Sequence, residues 1–132
     1  MRQIKPSLLY SEINANAKAD IPTMIWGGPG LGKSQIVYQT AANNNSKLFE
    51  LRANLFDPVD VRGGLKVVEQ QDGSFRTRYG IPEDYPDANY QGRVTLFIDE
   101  LPVAPKATQN ALLQLILDRK IGTYTLPRET TI

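Results

Sequence analysis

The sequence predicts an α/β fold, a parallel sheet with flanking helices, and three observations carry that expectation. Helical and extended patterns alternate along the chain, with no internal repeat. Val94-Thr95-Leu96-Phe97-Ile98 is apolar almost without interruption, as a strand covered on both faces has to be. Thr23-Met24-Ile25-Trp26 is a second short apolar run, stopped by Gly27-Gly28-Pro29-Gly30 and followed by helical spacing, which suits a buried strand running into a glycine loop.

The remaining elements follow in order. Pro6 to Ala19 places Leu8, Leu9, Ile13 and Ala17 at helical spacing and ends at Asp20-Ile21-Pro22. The helix after the glycines runs from Lys33 to Ala42, with Ile36, Val37 and Ala41 on one face, and stops at Asn43-Asn44-Asn45. Lys47 to Ala53 reads as a further strand. Leu65 to Val68 and Ser74 to Arg78 flank Gln71-Asp72-Gly73, a turn signal, so a hairpin with polar sides is expected there. That hairpin and the Pro- and Tyr-rich stretch from Ile81 to Gly92 read as an exposed insertion outside the core. Ala107, Ala111, Leu112, Leu115 and Ile116 form one face of a helix from Lys106 to Leu117 that starts just after Pro105 and should lie against the sheet.

With 132 residues, the length suits one domain or part of one. An apolar fraction of 41% and a charged fraction of 22% are ordinary globular values. The 15 Lys and Arg against 14 Asp and Glu leave no whole-chain field to attract nucleic acid or anionic membrane, so neither is expected as a partner. With 0 Cys and 0 His, disulfides, Cys/His zinc sites, thiol nucleophiles and imidazole bases are excluded. Any catalysis falls to carboxylates, lysine, hydroxyls or backbone. The N-terminus, Met1-Arg2-Gln3-Ile4-Lys5-Pro6, leads into no long apolar run, so the expected location is cytoplasmic.

Gly27-Gly28-Pro29-Gly30-Leu31-Gly32-Lys33-Ser34 satisfies G-x-x-x-x-G-K-[ST], the phosphate-binding P-loop or Walker A pattern. Residues without Cβ can take positive φ and turn backbone N–H groups around phosphate oxygens, while the following helix presents its positive end. The nucleotide-binding candidates are therefore Gly27, Gly28, Pro29, Gly30, Leu31, Gly32, Lys33, Ser34 and the adjoining Gln35. Lys33 is placed on the β- and γ-phosphates of ATP and Ser34 on Mg²⁺. The competing reading is a plain glycine turn with an exposed lysine and a capping serine.

Val94 to Ile98 ends in Asp99-Glu100 and resembles a Walker B motif. Asp99 would face Mg²⁺, a hard cation that wants an oxygen ligand near the strand end. Glu100 would polarise the attacking water, the natural general base in a chain without histidine. The competing reading has the two acids merely capping a strand or the next helix.

The run Asp99-Glu100-Leu101-Pro102-Val103-Ala104-Pro105-Lys106-Ala107-Thr108-Gln109-Asn110-Ala111-Leu112-Leu113, together with the glycine loop, resembles the MoxR-like and dynein-related AAA+ ATPases, including short versions encoded in phages and prophages. That family usually carries Asn-Arg where this chain has Pro102-Val103. Asp57-Pro58-Val59-Asp60-Val61-Arg62-Gly63-Gly64 resembles the segment after the family's second strand, Leu65 to Arg78 its hairpin insertion, and Asp118 to Pro127 its pre-sensor hairpin. The resemblance runs from about Pro22 to Pro127. It implies a P-loop NTPase of AAA+ type, a three-layer sandwich around a parallel sheet with a hairpin insertion. Residues 1–132 would form a single nucleotide-binding core, incomplete, with the loop strand, helix and second strand in 22–53, the insertion in 65–92, and the Walker B strand, helix and pre-sensor hairpin in 94–127.

The resemblance also implies a homo-oligomeric ring, commonly a hexamer, with ATP or ADP between subunits, an arginine finger from the neighbour, and a client protein to remodel. No arginine of the chain takes an assignable finger position. In the family's strand order, a sensor 1 strand lies between Thr23–Trp26 and Val94–Ile98, and the chain is expected to stop where that strand would begin. Two functions follow: Mg-dependent ATP hydrolysis coupled to remodelling or assembly of a partner, or a nucleotide-binding module with negligible turnover by itself. Among smaller features, Lys66, Arg76 and Arg78 read as a solvated surface or a contact for nucleic acid or client. Tyr79, Tyr85 and Tyr90 read as rings packed on their own domain or as a binding strip. Arg52 or Asn54 is a candidate to restrain Glu100.

Overall fold

A computed structural model describes residues 3–132. It is an α/β unit whose central sheet is parallel and three-stranded, in the order β1 (Lys47–Arg52), β4 (Val94–Asp99), β7 (Thr130–Thr131). Between them in the chain come β2 (Leu65–Glu69) and β3 (Phe75–Tyr79), an antiparallel hairpin, and β5 (Lys120–Ile121) and β6 (Tyr124–Thr125), a second, shorter one. The helices are α1 (Pro6–Lys18), α2 (Lys33–Asn43), α3 (Pro58–Arg62) and α4 (Lys106–Asp118).

Strand β1 pairs with β4 from Lys47↔Val94 to Arg52↔Asp99, and β7 continues on the other side with Val94↔Thr130 and Thr95↔Thr131. The expected strand over Thr23–Trp26 does not form as a regular element. Thr23 donates its N–H to the Ile132 carbonyl at 2.9 Å, and the segment does not pair with β4. A strand is defined by its neighbour, and here the neighbour is only two residues long. In space the order is therefore 47–52, 94–99, 130–131 and then Thr23.

Helices cover both faces. Residues of a strand alternate between faces, so Phe49 and Leu51 of β1 share a side with Leu96 and Ile98 of β4. These pack with Ala111, Leu112 and Leu115 of α4, and Leu51, Leu96, Leu112 and Leu115 are fully buried. Burying such a side chain stabilises by about 1.5 to 3 kcal/mol. The opposite face carries Phe97, which meets the Tyr38 ring of α2 edge-on at 6.1 Å. Helix α1 leans on α2, where Asn44 donates to the Asn14 amide oxygen at 2.7 Å. At the end of α4, Arg119 takes a left-handed conformation with φ 57°, and its guanidinium donates to the Thr130 carbonyl, tying the helix terminus to β7.

The sequence did not suggest α3, although its start carries a capping box between Asp57 and Asp60 and a proline in the first turn. After it the chain turns at Gly63, φ 90°, where a Cβ would collide with the Gly80 carbonyl oxygen. Gly80 N–H closes the neck on the Gly64 carbonyl at 2.8 Å. At the far end, Asp72 accepts from the Ser74 hydroxyl and N–H, and those bonds hold its carboxyl below the usual range. The polar hairpin expected from the sequence is two-sided instead. Register places Leu65, Val67, Phe75 and Tyr79 on one face, with Leu65, Val67 and Phe75 about two-thirds exposed, and Lys66, Arg76 and Arg78 on the other.

The stretch after the hairpin is also less exposed than expected. Tyr85 and Pro86 are buried, the Tyr85 ring stacks on Tyr124 at 5.0 Å, and each hydroxyl donates to a carbonyl at 2.6 Å, Tyr85 to Val61 and Tyr124 to Pro86. A binding strip of tyrosines does not form: Tyr85 is inside, Tyr79 is half-exposed, and the Lys47 ammonium lies 5.3 Å from the centre of the Tyr90 ring.

Two outcomes are expected. Gly63→Ala should lower unfolding stability by about 2 kcal/mol or more, because backbone has to move. Gly73→Ala, at φ 79° with nothing near its Cβ, should cost only about 1 kcal/mol; equal losses in chemical denaturation would refute the neck. Burial, aided by Asp87, pushes the Tyr124 hydroxyl up to about 12, and burial likewise raises that of Tyr85. Since the folded state favours the protonated phenol, its contribution is complete below the unfolded pKa of about 10 and is lost as pH rises through about 12. Denaturation across that window should show stability falling, and Tyr85→Phe with Tyr124→Phe should flatten the fall.

Candidate functional site

The site is built where the sheet's C-terminal edge meets the start of α2. Gly30 and Gly32 both sit at φ 75°, a left-handed conformation that residues with a Cβ adopt at a cost. They swing the chain from the 23–26 segment into α2. Gly32 is the N-cap of α2 and offers no side chain, so no side-chain acceptor satisfies the first N–H groups of an 11-residue helix. Those donors, and the positive end of the helix dipole, are free for an anion. Val37, Thr40 and Ala41 are buried and hold the helix in place.

Lys33 opens α2 and folds back: its ammonium donates to the carbonyls of Gly27 at 2.7 Å and Gly28 at 2.8 Å. The cation thus lies on the loop itself, a position from which a more negative acceptor can draw it. Leu31 is exposed, and among the described residues the Ser34 hydroxyl makes no hydrogen bond within the chain. Gln35 follows in the first turn of α2 and is exposed.

Asp99 is the last residue of β4 and accepts the Glu100 N–H at 2.9 Å. Glu100 itself is left-handed, φ 57° and ψ 26°, and exposed, pinned between the strand and a 3₁₀ turn whose Leu101 is buried. Such a conformation costs about 1 kcal/mol or more for a residue with a Cβ. It turns the chain sharply and leaves the carboxylate outside the sheet. Among the described residues, no side chain holds the Glu100 carboxylate by a hydrogen bond.

A cleft of about 1060 Å³ brings Gly27, Pro29, Lys33, Asp99 and Glu100 to one wall system, with the 23–26 segment and β7 behind them. Gly28, Gly30, Leu31, Gly32, Ser34 and Gln35 are not part of its lining. Among the described residues, no three His, Cys, Asp or Glu side chains gather into a metal-ligating group. Asp99 lines the cleft and Ser34 does not, so the carboxylate and the hydroxyl at the start of α2 would hold Mg²⁺ only with phosphate oxygens and water completing the shell, which is how that ion is ordinarily held beside a nucleotide.

Sequence reading missed the cluster beside the site. The Tyr38 hydroxyl donates to Glu50 at 2.9 Å, a bond that raises the tyrosine's pKa, and Arg52 lies 3.8 Å from the same carboxylate. Arg52 is the register partner of Asp99, yet its guanidinium turns to Glu50 and not to Glu100. Asn54 lies in the 3₁₀ turn Ala53–Leu55. Glu50 and Arg52 stand two apart on one face of β1, a local signal, but Tyr38 joins them only through the juxtaposition of α2 and β1.

Among the described residues, no helix is long and apolar enough to cross a membrane. Comparison with known protein families, curated proteins and solved structures finds no match to this chain.

Proposed function

We propose that the chain is the nucleotide-binding core of an AAA+ type, MoxR-like P-loop ATPase, which binds Mg-ATP and hydrolyses it to remodel or assemble a partner protein. The observation that carries the reading is the convergence of Gly27, Pro29 and Lys33 with Asp99 and Glu100 on one cleft, with an uncapped helix start beside the loop. Support for the AAA+ form comes from the strand order, in which β7 and not the 23–26 segment adjoins β4.

In this mechanism the triphosphate takes the loop N–H groups and the start of α2, and Lys33 leaves the Gly27 and Gly28 carbonyls for the β- and γ-phosphates. Mg²⁺, when bound, neutralises phosphate charge; Asp99 and Ser34 are the residues that would hold it. Glu100 accepts a proton from water as the water oxygen attacks the γ-phosphorus, and the bond to the ADP oxygen breaks. A homo-oligomeric ring would add a neighbour's arginine, an effect of about 10³ to 10⁵ in rate.

A second reading, an ATP- or ADP-binding module with little turnover by itself, is favoured by the Glu100 carboxylate, which no side chain of the described residues orients.

Three variants separate these readings. Lys33→Ala should weaken Mg-ATP binding at least about tenfold by calorimetric titration, since it removes the side-chain cation aimed at the phosphates; unchanged affinity would take the site elsewhere. Glu100→Gln should keep ATP affinity within about twofold and cut turnover by about 10² or more in the active assembly. Wild-type turnover in that variant would remove Glu100 from the mechanism, and no turnover in the unsubstituted protein in any assembly would favour the binding module. Asp99→Asn should raise the Mg²⁺ concentration needed for half-maximal ATP binding.

A further inference from the structure

The hairpin β2–β3 stands outside the central sheet as a two-stranded sheet of its own, and all of Phe75–Tyr79 is exposed. The Gly80 N–H bonds to the Gly64 carbonyl and the Gln70 N–H to the Ser74 carbonyl, so by alternation the backbone groups of Lys66, Val68, Arg76 and Arg78 point across the hairpin. Those of Phe75, Thr77 and Tyr79 point outward, and among the described residues they make no backbone bond beyond the hairpin. The two faces differ in charge. Leu65, Val67, Phe75 and Tyr79 share one side with Glu69 and Thr77, whereas Lys66, Arg76 and Arg78 share the other with Val68. No acid stands on that second face, Lys66 is directly opposite Arg78, and among the described residues none of the three cations is ion-paired. Like charges directly opposed destabilise a ladder, so the basic face lacks an anionic complement. The hairpin is nonetheless anchored at its base. The Tyr79 ring lies over Gly122, in the turn between β5 and β6, where an added Cβ would come within 3.3 Å of it.

We propose that the outer edge of β3 docks an extended segment of a partner protein, one that alternates acidic and apolar residues and adds antiparallel as a third strand. The outward N–H and C=O groups of Phe75, Thr77 and Tyr79 call for backbone partners at strand spacing, which an extended chain supplies. In that addition, the residues opposite Phe75, Thr77 and Tyr79 are the backbone-bonded ones and fall on the mainly apolar side. Those opposite Arg76 and Arg78 fall on the basic side, in the non-hydrogen-bonded pairs where side chains approach most closely. The segment therefore reads apolar, acid, apolar, acid, apolar. The β2 edge carries Lys66 alone, so β3 offers the stronger charge match. A second copy of the chain is refused, because two β3 edges laid antiparallel would set Arg76 against Arg78 and Arg78 against Arg76. A polynucleotide would answer the charge but leave the outward backbone groups and the apolar side unused.

The test uses the chain without nucleotide, so its outcome is independent of the ATP reading. Two acetylated and amidated peptides are titrated into it, Thr-Val-Glu-Val-Glu-Val-Thr and the same sequence with lysine at both glutamates. Amide hydrogen exchange is followed by NMR at Thr77, whose N–H faces outward. The acidic peptide should slow exchange there saturably, by at least about tenfold, and the lysine peptide should not. Arg76→Glu combined with Arg78→Glu should reverse that preference. No slowing by the acidic peptide up to millimolar concentration, equal slowing by both peptides, or slowing at Val67 in place of Thr77 overturns the site. Oligothymidylate that shifts the Arg76 and Arg78 side-chain resonances, while the acidic peptide leaves Thr77 unprotected, assigns the face to nucleic acid and overturns it as well. If the charge-reversed chain does not fold, the contrast between the two peptides on the unsubstituted chain decides.

Discussion

The parallel pairing of β1 with β4 is the constraint on which the rest depends. Parallel strands bring like ends to one edge, so Arg52 and Asp99 finish side by side. Asp99 and Glu100 at that edge then share one cleft with Gly27, Pro29 and Lys33. Leu51 and Leu96 are fully buried beneath α4, and Phe97 on the reverse face meets Tyr38 of α2. The pairing thereby fixes where α2 begins, and with it the loop of Gly27 to Gly32. A substitution that shifted β4 by one residue would exchange its two faces and lose both contacts at once.

Around that rigid edge the chain keeps two local conformations that packing alone would not favour. Gly30 and Gly32 hold left-handed geometry without penalty from a side chain, whereas Glu100 holds it with one. The cost at Glu100 is met by its neighbours, the end of β4 on one side and buried Leu101 on the other. Strain of this kind next to an uncapped helix start is what the proposed nucleotide site would exploit, since both leave polar groups directed at a ligand instead of at the protein.

Much of the fold was legible because it depends on local pattern. The apolar run of Val94 to Ile98, the helical face of Ala111, Leu112 and Leu115, and the Asp72-Gly73 turn all appear where their spacing puts them. What was illegible depends on partners. Thr23 to Trp26 reads as a strand by composition, but a strand needs a ladder, and a two-residue β7 supplies only one bond. The sequence offers Tyr85 either as a ring packed on its own domain or as part of a binding strip, and only Tyr124 and the Val61 carbonyl, 24 residues earlier than Tyr85, decide for packing. The mainly apolar side of the hairpin shows in Leu65 and Val67 alternating with Lys66, but Val68 on the basic face and Glu69 and Thr77 on the apolar one blur the pattern. The candidate phosphate loop is spelled out by Gly27 to Ser34, whereas Tyr38 joins Glu50 and Arg52 only through tertiary placement.

The proposed function rests on backbone N–H groups of this loop binding phosphate. The most direct measurement follows the amide resonances of Gly30, Gly32, Lys33 and Ser34 by NMR as Mg-ADP is added to the unsubstituted chain. Saturable shifts concentrated at those amides, with smaller ones at Asp99, are the expected result. Saturation with shifts elsewhere and none in the loop, or no shift at millimolar nucleotide, would contradict it.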